Sequence, residues 1–206
     1  TDVAKEASAM ILQDDNFATI VNAVEHGRGI YDNIKKAVRY LLSCNVGEVL
    51  IIFLAILAGL DAPLIAIQIL WMNLVTDGLP AIAMSMDNIA RDVMDRNPRD
   101  PKEGIITRAM IFDIGWIAAF ETAATLFVFL VVDEAEGIVY ARTCAFAVLV
   151  LAELFAALSV RYDGHYAFER GYRPTRVMLL AFFVSLALQL AVIYVPFLSP
   201  VFDTMP

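Results

Sequence analysis

The residues able to do chemistry in this chain are carboxylates and amides set inside long apolar runs. Ser43-Cys44-Asn45-Val46-Gly47-Glu48 interrupts one such run. Asn45 and Glu48 are three apart, which puts them on one helical face. A carboxylate in mid-membrane is costly unless it is paired, hydrated or bound to an ion. Standing alone, Glu48 reads equally well as a protonated acid hydrogen-bonded to a neighbouring helix. The next run shifts that balance. In Asn73-Leu74-Val75-Thr76-Asp77-Gly78-Leu79-Pro80, the residues Asn73, Thr76 and Asp77 fall at i, i+3 and i+4, and all three offer oxygen. Pro80 has no N–H, so the carbonyl of Thr76 loses its helical partner, and Gly78 lets the backbone distort. A broken helix at membrane depth is tolerated where it lines a polar cavity. Freed carbonyls with Asp, Asn and Thr side chains make a hard-oxygen cation site. The plainer alternative is a Pro-kinked helix held by interhelical hydrogen bonds. Matching polar faces on two consecutive spans favour the site.

Glu153, in Leu151-Ala152-Glu153-Leu154, adds a third carboxylate. A further run carries Glu121 near its middle and Asp113 toward one end. Glu121 reads as a relay or extra ligand, or as a protonated group bonding across helices. Gln68 and Gln189 are lesser polar points. With no Lys or Arg at mid-span, Glu48, Asp77 and Glu153 require a cation, protons or both. Oxygen donors without a His or Cys cluster favour Ca²⁺, Na⁺, K⁺ or protons over Zn²⁺ or Cu⁺. His26 and His165 fall outside the spans and read as surface residues. Cys44 and Cys144 read as small buried hydrophobes, not as a disulfide or metal pair.

These side chains need elements to hold them, and the composition points to membrane helices. The 206 residues are 60% hydrophobic, against about 45–50% in soluble domains. A net charge of -8 and the lack of a basic, aromatic-rich patch argue against nucleic acid. The polar opening reads as a helix end at 2–8 and a short strand at 9–12. Asp15 and Asn16 can cap a helix over 17–25, Gly27 and Gly29 interrupt it, and a basic helix at 31–39 leads into the membrane. Five spans follow, at 37–60, 62–86, 108–132, 139–160 and 176–196, each near the ~20 residues needed to cross. The connections are a tight turn at 60–63, a long charged loop at 87–107, a short acidic one at 133–137 and a basic one at 161–175. Fourteen of the 15 basic residues collect on one side, and Arg142 alone falls on the other. By the positive-inside rule the N-terminus and the loops 87–107 and 161–175 are cytoplasmic and the C-terminus is outside.

Asn45-Val46-Gly47-Glu48, Leu70-Trp71-Met72-Asn73-Leu74-Val75-Thr76-Asp77-Gly78-Leu79-Pro80 and Met94-Asp95-Arg96-Asn97-Pro98-Arg99 closely resemble the C-terminal half of P-type cation ATPases. The nearest branch is similar to Ca²⁺ pumps of the sarco/endoplasmic-reticulum type and their prokaryotic relatives. Thr1-Asp2-Val3-Ala4-Lys5-Glu6-Ala7 and Asp14-Asp15-Asn16-Phe17 resemble the end of that family's phosphorylation domain. The resemblance covers essentially the whole chain and weakens after Arg108. Around Glu153 only the carboxylate and a loose apolar context match, and Asn97 stands where a Pro is common.

The resemblance implies an all-α membrane fold: a five-span bundle like helices five to nine of a ten-helix pump, with a short cytoplasmic α/β remnant of the phosphorylation domain. Its parts would be the end of that domain (1–30), a stalk (31–39), the transport domain (40–197, with cytoplasmic loop 87–107) and an extracytoplasmic tail (198–206). It implies that Asn45, Glu48, Thr76, Asp77 and Glu153 bind one cation. Asn73 and Asp77 would belong to a second site completed by a helix outside this segment. Loop 87–107 would contact the phosphorylation domain, and the stalk would carry the signal to Glu48. The implied activity is ATP-driven export of Ca²⁺ with proton counter-transport. A Na⁺ or Na⁺/K⁺ pump is the alternative, and a passive channel, a membrane scaffold or a secondary transporter are alternatives of other classes. The family's DKTGT, TGE and GDGxND motifs are not among these 206 residues. The segment is therefore expected to be a piece of a longer protein, without catalytic or cofactor-binding residues. ATP and Mg²⁺ would act in the parent's other domains, and the partners would be those domains, the remaining helices and the lipid bilayer.

Overall fold

The computed structural model describes residues 2–8, 11–12, 16–90, 92–99, 104–161 and 174–206. Among them the chain is helical throughout, with α1 (Asp2–Ala7), α2 (Phe17–Leu57), α3 (Ala66–Trp71), α4 (Gly78–Ser85), α5 (Arg108–Glu136), α6 (Ile138–Val160), α7 (Arg176–Tyr194) and α8 (Ser199–Phe202). Five of the resulting rods are long and apolar enough to cross a bilayer. The strand expected at 9–12 is not found at 11–12, and residues 9–10 lie outside the described part. No strand is found among the described residues, and over the expected α/β remnant at 1–30 the elements seen are α1 and the start of α2.

Asn16 starts α2, its Oδ1 accepting from the Ala18 N–H at 3.0 Å. Asp15 lies outside the described residues. The helix then runs unbroken for 41 residues. At about 1.5 Å per residue this is ~60 Å, twice the ~30 Å hydrocarbon thickness, so α2 is long enough to cross a bilayer and extend well beyond it. The interruption expected at Gly27 and Gly29 does not occur. A glycine inside a helix costs only about 1 kcal/mol, too little to break a rod packed along its length. At Gly29 the reason for glycine is close approach: a Cβ there would lie 2.6 Å from Ile89 Cγ1.

The second span is broken where Pro80 demands it. Between α3 and α4 the residues Met72–Thr76 form a π-helical turn, and the Asp77 N–H donates to the Met72 carbonyl, five residues back, at 2.9 Å. The proline ring cannot tolerate a regular carbonyl at Thr76, and the wider turn takes up the misfit one turn earlier. The third span continues to Glu136, so the acidic loop expected at 133–137 shrinks to Gly137, whose φ of 90° turns α5 directly into α6.

The helices pack around two larger apolar clusters and a smaller one of Phe129, Ala141 and Ala145 between α5 and α6. Ile51, Met72, Phe146, Leu149, Leu154 and Val192 fill one half of the bundle, and Tyr40, Cys44, Met84, Ala157 and Met178 the other. Phe53, Leu74, Phe112, Trp116 and Phe127 point outward as exposed apolar side chains, as a lipid-facing surface requires. The C-terminal segment is not a loose tail. Gln68 Nε2 donates to the Phe202 carbonyl at 2.9 Å, and the Met205 N–H donates to Thr143 Oγ1 at 2.9 Å. Beside this contact Arg142 Nε donates to the Ala62 carbonyl at 2.9 Å, tying α6 to the turn after α2.

The opposite end is held by polar groups. Arg161 grips Asp87 with Nη2 to Oδ1 at 2.6 Å and Nε to Oδ2 at 2.8 Å, both side chains only 6% exposed. Asn33 Nδ2 donates to the Asp87 carbonyl at 2.8 Å. Arg39 reaches Asp113 at 3.1 Å and the Val160 carbonyl at 2.6 Å. Along the stalk, Arg28 donates to the carbonyls of Val93 and Arg96, Arg96 pairs with Asp32 at 2.7 Å, and Arg99 lies 4.2 Å over the Tyr31 ring. The loop after α4 is thus docked onto α2. Most of the basic loop expected at 161–175 lies outside the described residues.

Candidate metal centre

On α2 the residues Tyr40, Cys44, Gly47, Glu48, Ile51 and Ala55 are all buried. They recur at three- and four-residue steps, so a single stripe of a straight helix faces the bundle. The stripe carries Glu48, 4% exposed, into the interior. Asn73, on the π-turn, donates its Nδ2 to both oxygens of Glu48, at 2.9 and 2.7 Å, and to the Ile69 carbonyl at 3.1 Å. This amide ties the first two spans together at the level of Glu48.

Asp77 occupies the break itself and is completely buried. Its Oδ1 accepts from the Tyr40 hydroxyl at 2.9 Å, while its Oδ2 has no hydrogen-bond partner. Glu153, brought in by α6, is also fully buried, and neither of its oxygens has a partner. One carboxylate oxygen each from Asp77 and Glu153 and the Sγ of Cys44 lie within 4.8 Å of one another. Two acidic groups this close, with no lysine or arginine paired to either among the described residues, are stable together only if a proton or a cation neutralises them. Thr76 is buried beside Asp77, its Oγ1 donating to the Met72 carbonyl at 3.1 Å. Its own carbonyl stands four residues before Pro80, which has no N–H to donate to it.

Of the six residues singled out in the sequence, the structure gathers Glu48, Asn73, Thr76, Asp77 and Glu153 around the break in the second span. Asn45 stands apart: it is exposed and its Nδ2 donates to the Leu41 carbonyl at 2.7 Å. Two contributors escaped the sequence reading. Tyr40, buried and bonded to Asp77, sits two helical turns before Glu48 on the same stripe, a spacing that could have flagged it. Cys44, read as a plain hydrophobe, sits one turn before Glu48 and against both carboxylates. Gln189, a lesser point in the sequence, accepts from Trp71 Nε1 at 3.2 Å and serves packing.

A multi-pass helical membrane domain whose interior carboxylates come from three different rods has the architecture of an ion-translocating bundle. The chain matches the family described as "Cation transporting ATPase, C-terminus" over residues 61–206, and it belongs to that family. It is 47% identical over 207 residues to a calcium-transporting ATPase of Bacillus subtilis (strain 168), covering 100% of this chain and 23% of that protein. It is 42% identical over 206 residues to calcium-transporting ATPase type 2C member 2 of Rattus norvegicus, covering 99% of this chain and 22% of that one. The corresponding identity to calcium-transporting ATPase 1 of Yarrowia lipolytica is 38%, over 99% of this chain and 22% of that protein. The chain therefore spans about a quarter of the length of these relatives.

Proposed function

We propose that this chain is the cation-conducting part of an ATP-driven pump whose cargo is Ca²⁺. The observation that supports it most is the meeting of Asp77 and Glu153 in the bundle interior, with oxygens left without donors. Glu48 stands one turn along α2 from Cys44, held by Asn73. Hard oxygen donors of this kind suit Ca²⁺, which takes six to eight of them, and calcium is what the named relatives carry. Glu48, Asn73, Thr76, Asp77 and Glu153 are the ligands drawn from this chain. Asn45, on the exposed side of α2, is a ligand only once the remaining helices of the parent protein cover it.

ATP and Mg²⁺ act in domains outside these residues. The stalk of α2 and the docked loop after α4 form the end toward those domains, and that end is cytoplasmic. Residues 1–30 then belong to the phosphorylation domain, 31–39 to the stalk, 40–197 to the transport domain with its loop 87–107, and 198–206 to the outer face. Transport follows from a difference in ion affinity between two states of the bundle, which ATP chemistry interconverts. Protons take the cation's place on Glu48 and Glu153 during the return, because emptied carboxylates in a bilayer are too costly to leave charged. In the full-length pump, Asp77→Asn should abolish Ca²⁺-dependent phosphorylation by ATP while phosphorylation by inorganic phosphate, which needs no Ca²⁺, persists. Normal Ca²⁺ dependence in that variant would refute the assignment.

A further inference from the structure

Glu121 of α5 lies outside that ligand set, yet it is 1% exposed and neither of its oxygens has a hydrogen-bond partner. One turn further along α5, Thr125 is fully buried and its hydroxyl also lacks a partner. Three unsatisfied oxygens on one stripe of one helix are not a packing solution, since each loses its hydration and regains nothing.

Their direction is set by Gly47. A Cβ placed on Gly47 would lie 2.8 Å from Glu121 Oε2 and 3.7 Å from the Ala118 Cα. Only the missing side chain lets the carboxylate of α5 press against α2, immediately beside Glu48. Thr122 Oγ1, within 3.4 Å of the Gly47 carbonyl, closes the same contact. Depth is fixed independently by the α5–α6 hairpin. Glu121 stands sixteen residues before Gly137 and Glu153 sixteen after it, so each lies about 24 Å from the turn at ~1.5 Å per residue. Glu48, Asp77 and Glu153 all lie within electrostatic reach of Glu121. No lysine or arginine pairs with any of the four among the described residues.

We propose that Glu121 is a fourth carboxylate ligand of the transported cation, reaching it through the gap left by Gly47, with the Thr125 hydroxyl as its companion oxygen. The inference rests on the reading that this bundle carries Ca²⁺. The cation would then be gathered from four helices, with α5 supplying a donor set separate from the break in the second span.

The test uses the full-length pump in membranes, read as phosphoenzyme formed from radiolabelled ATP against free Ca²⁺. Phosphorylation by inorganic phosphate without Ca²⁺ serves as the control for folding. E121Q should move the Ca²⁺ dependence to higher concentration by roughly tenfold or more, the loss of one charged ligand at about 1.4 kcal/mol per decade, with the control reaction retained. G47A, which pushes the carboxylate aside without removing it, should shift the dependence in the same direction. Combining the two should add little to either shift, because both remove one interaction. An unchanged Ca²⁺ dependence in E121Q, or additive shifts in the pair, overturns the proposal. If E121Q does not accumulate, G47A is read alone, and wild-type Ca²⁺ dependence there overturns it equally. Asp77→Asn, run alongside, separates the two levels. Loss of Ca²⁺ dependence in Asp77→Asn with none in E121Q removes Glu121 from the site and leaves the pump reading standing, whereas normal dependence in Asp77→Asn removes the pump reading itself.

Discussion

Replacing Arg161 by Met should loosen the end of the bundle where α6 meets the loop after α4. Arg161 closes two short hydrogen bonds on Asp87, at 2.6 and 2.8 Å, with both side chains 6% exposed. Among the described residues the Asp87 carboxylate has no other side-chain partner, and its main-chain carbonyl is already engaged by Asn33. Met keeps most of the volume but leaves a buried carboxylate without donors. Breaking a buried pair in this way costs about 3–5 kcal/mol. For a folding unit of ~150–250 residues, 1 kcal/mol moves the midpoint by about 2–4 °C, so the bundle's transition should fall by roughly 6–20 °C. The assay is thermal loss of monodisperse pump in detergent, followed by size-exclusion chromatography after heating. Asp87→Leu combined with Arg161→Met should recover most of the loss, because no charge is then stranded. A midpoint for Arg161→Met within about 2 °C of wild type, on the same conversion, would show that the pair is solvated and that the end of α6 is not pinned to the loop after α4.

Two further changes probe the stalk and the site. Tyr40→Phe removes the hydroxyl that donates to Asp77 Oδ1. Hydrogen bonds to charged groups contribute about 1.5–3 kcal/mol, so the freed carboxylate should lose its fixed orientation and Ca²⁺ affinity should fall roughly ten- to hundredfold, as read by Ca²⁺-dependent phosphoenzyme formation. An unaltered affinity would mean that Asp77 is oriented by its helix alone. Gly29→Ala gains about 1 kcal/mol of helix propensity but sets a Cβ 2.6 Å from Ile89 Cγ1, an overpacking cost of about 1–3 kcal/mol. The expected net effect is mild destabilisation that Ile89→Ala relieves, and thermal midpoints of the two variants and their combination check it.

The spans were legible because a helix that must be apolar for some twenty residues leaves little ambiguity in its pattern. The positions of the breaks were legible for a related reason: Pro80 forbids a regular turn wherever it stands. What the sequence could not show is how the helices rotate against one another. Glu121 and Asn45 illustrate it. Both lie in apolar runs beside small residues, yet one is 1% exposed and the other points outward. The difference comes from Gly47, whose bare backbone invites α5 onto one side of α2, and only the assembled pair shows which side that is. The glycines of the stalk misled in the opposite sense. Gly29 looked like a break because its partner, Ile89, lies sixty residues away in sequence, and a close approach leaves no local signature.

The two helices that build the core of the site differ in stiffness, and that difference has a consequence for coupling. α2 is one uninterrupted rod from Phe17 to Leu57, so a displacement of its stalk end must appear at Glu48 as a tilt or translation, without loss at a hinge. The second span is two short helices meeting at a π-turn, a feature found inside helices mostly at functional sites. Asn73 sits on that turn and holds both oxygens of Glu48. Moving α2 therefore pulls on the turn that carries Thr76 and Asp77, and on α5 through the contact at Gly47, whereas Glu153 is carried on α6, which packs far less extensively against α2. In the proposed site, groups carried on the rod of α2, on the broken second span and on α6 have no common rigid support, so their mutual distances would change through such a motion. On the proposed reading, a cation bound there would be held with a different affinity after α2 moves, which is the property an ATP-driven pump requires of its site.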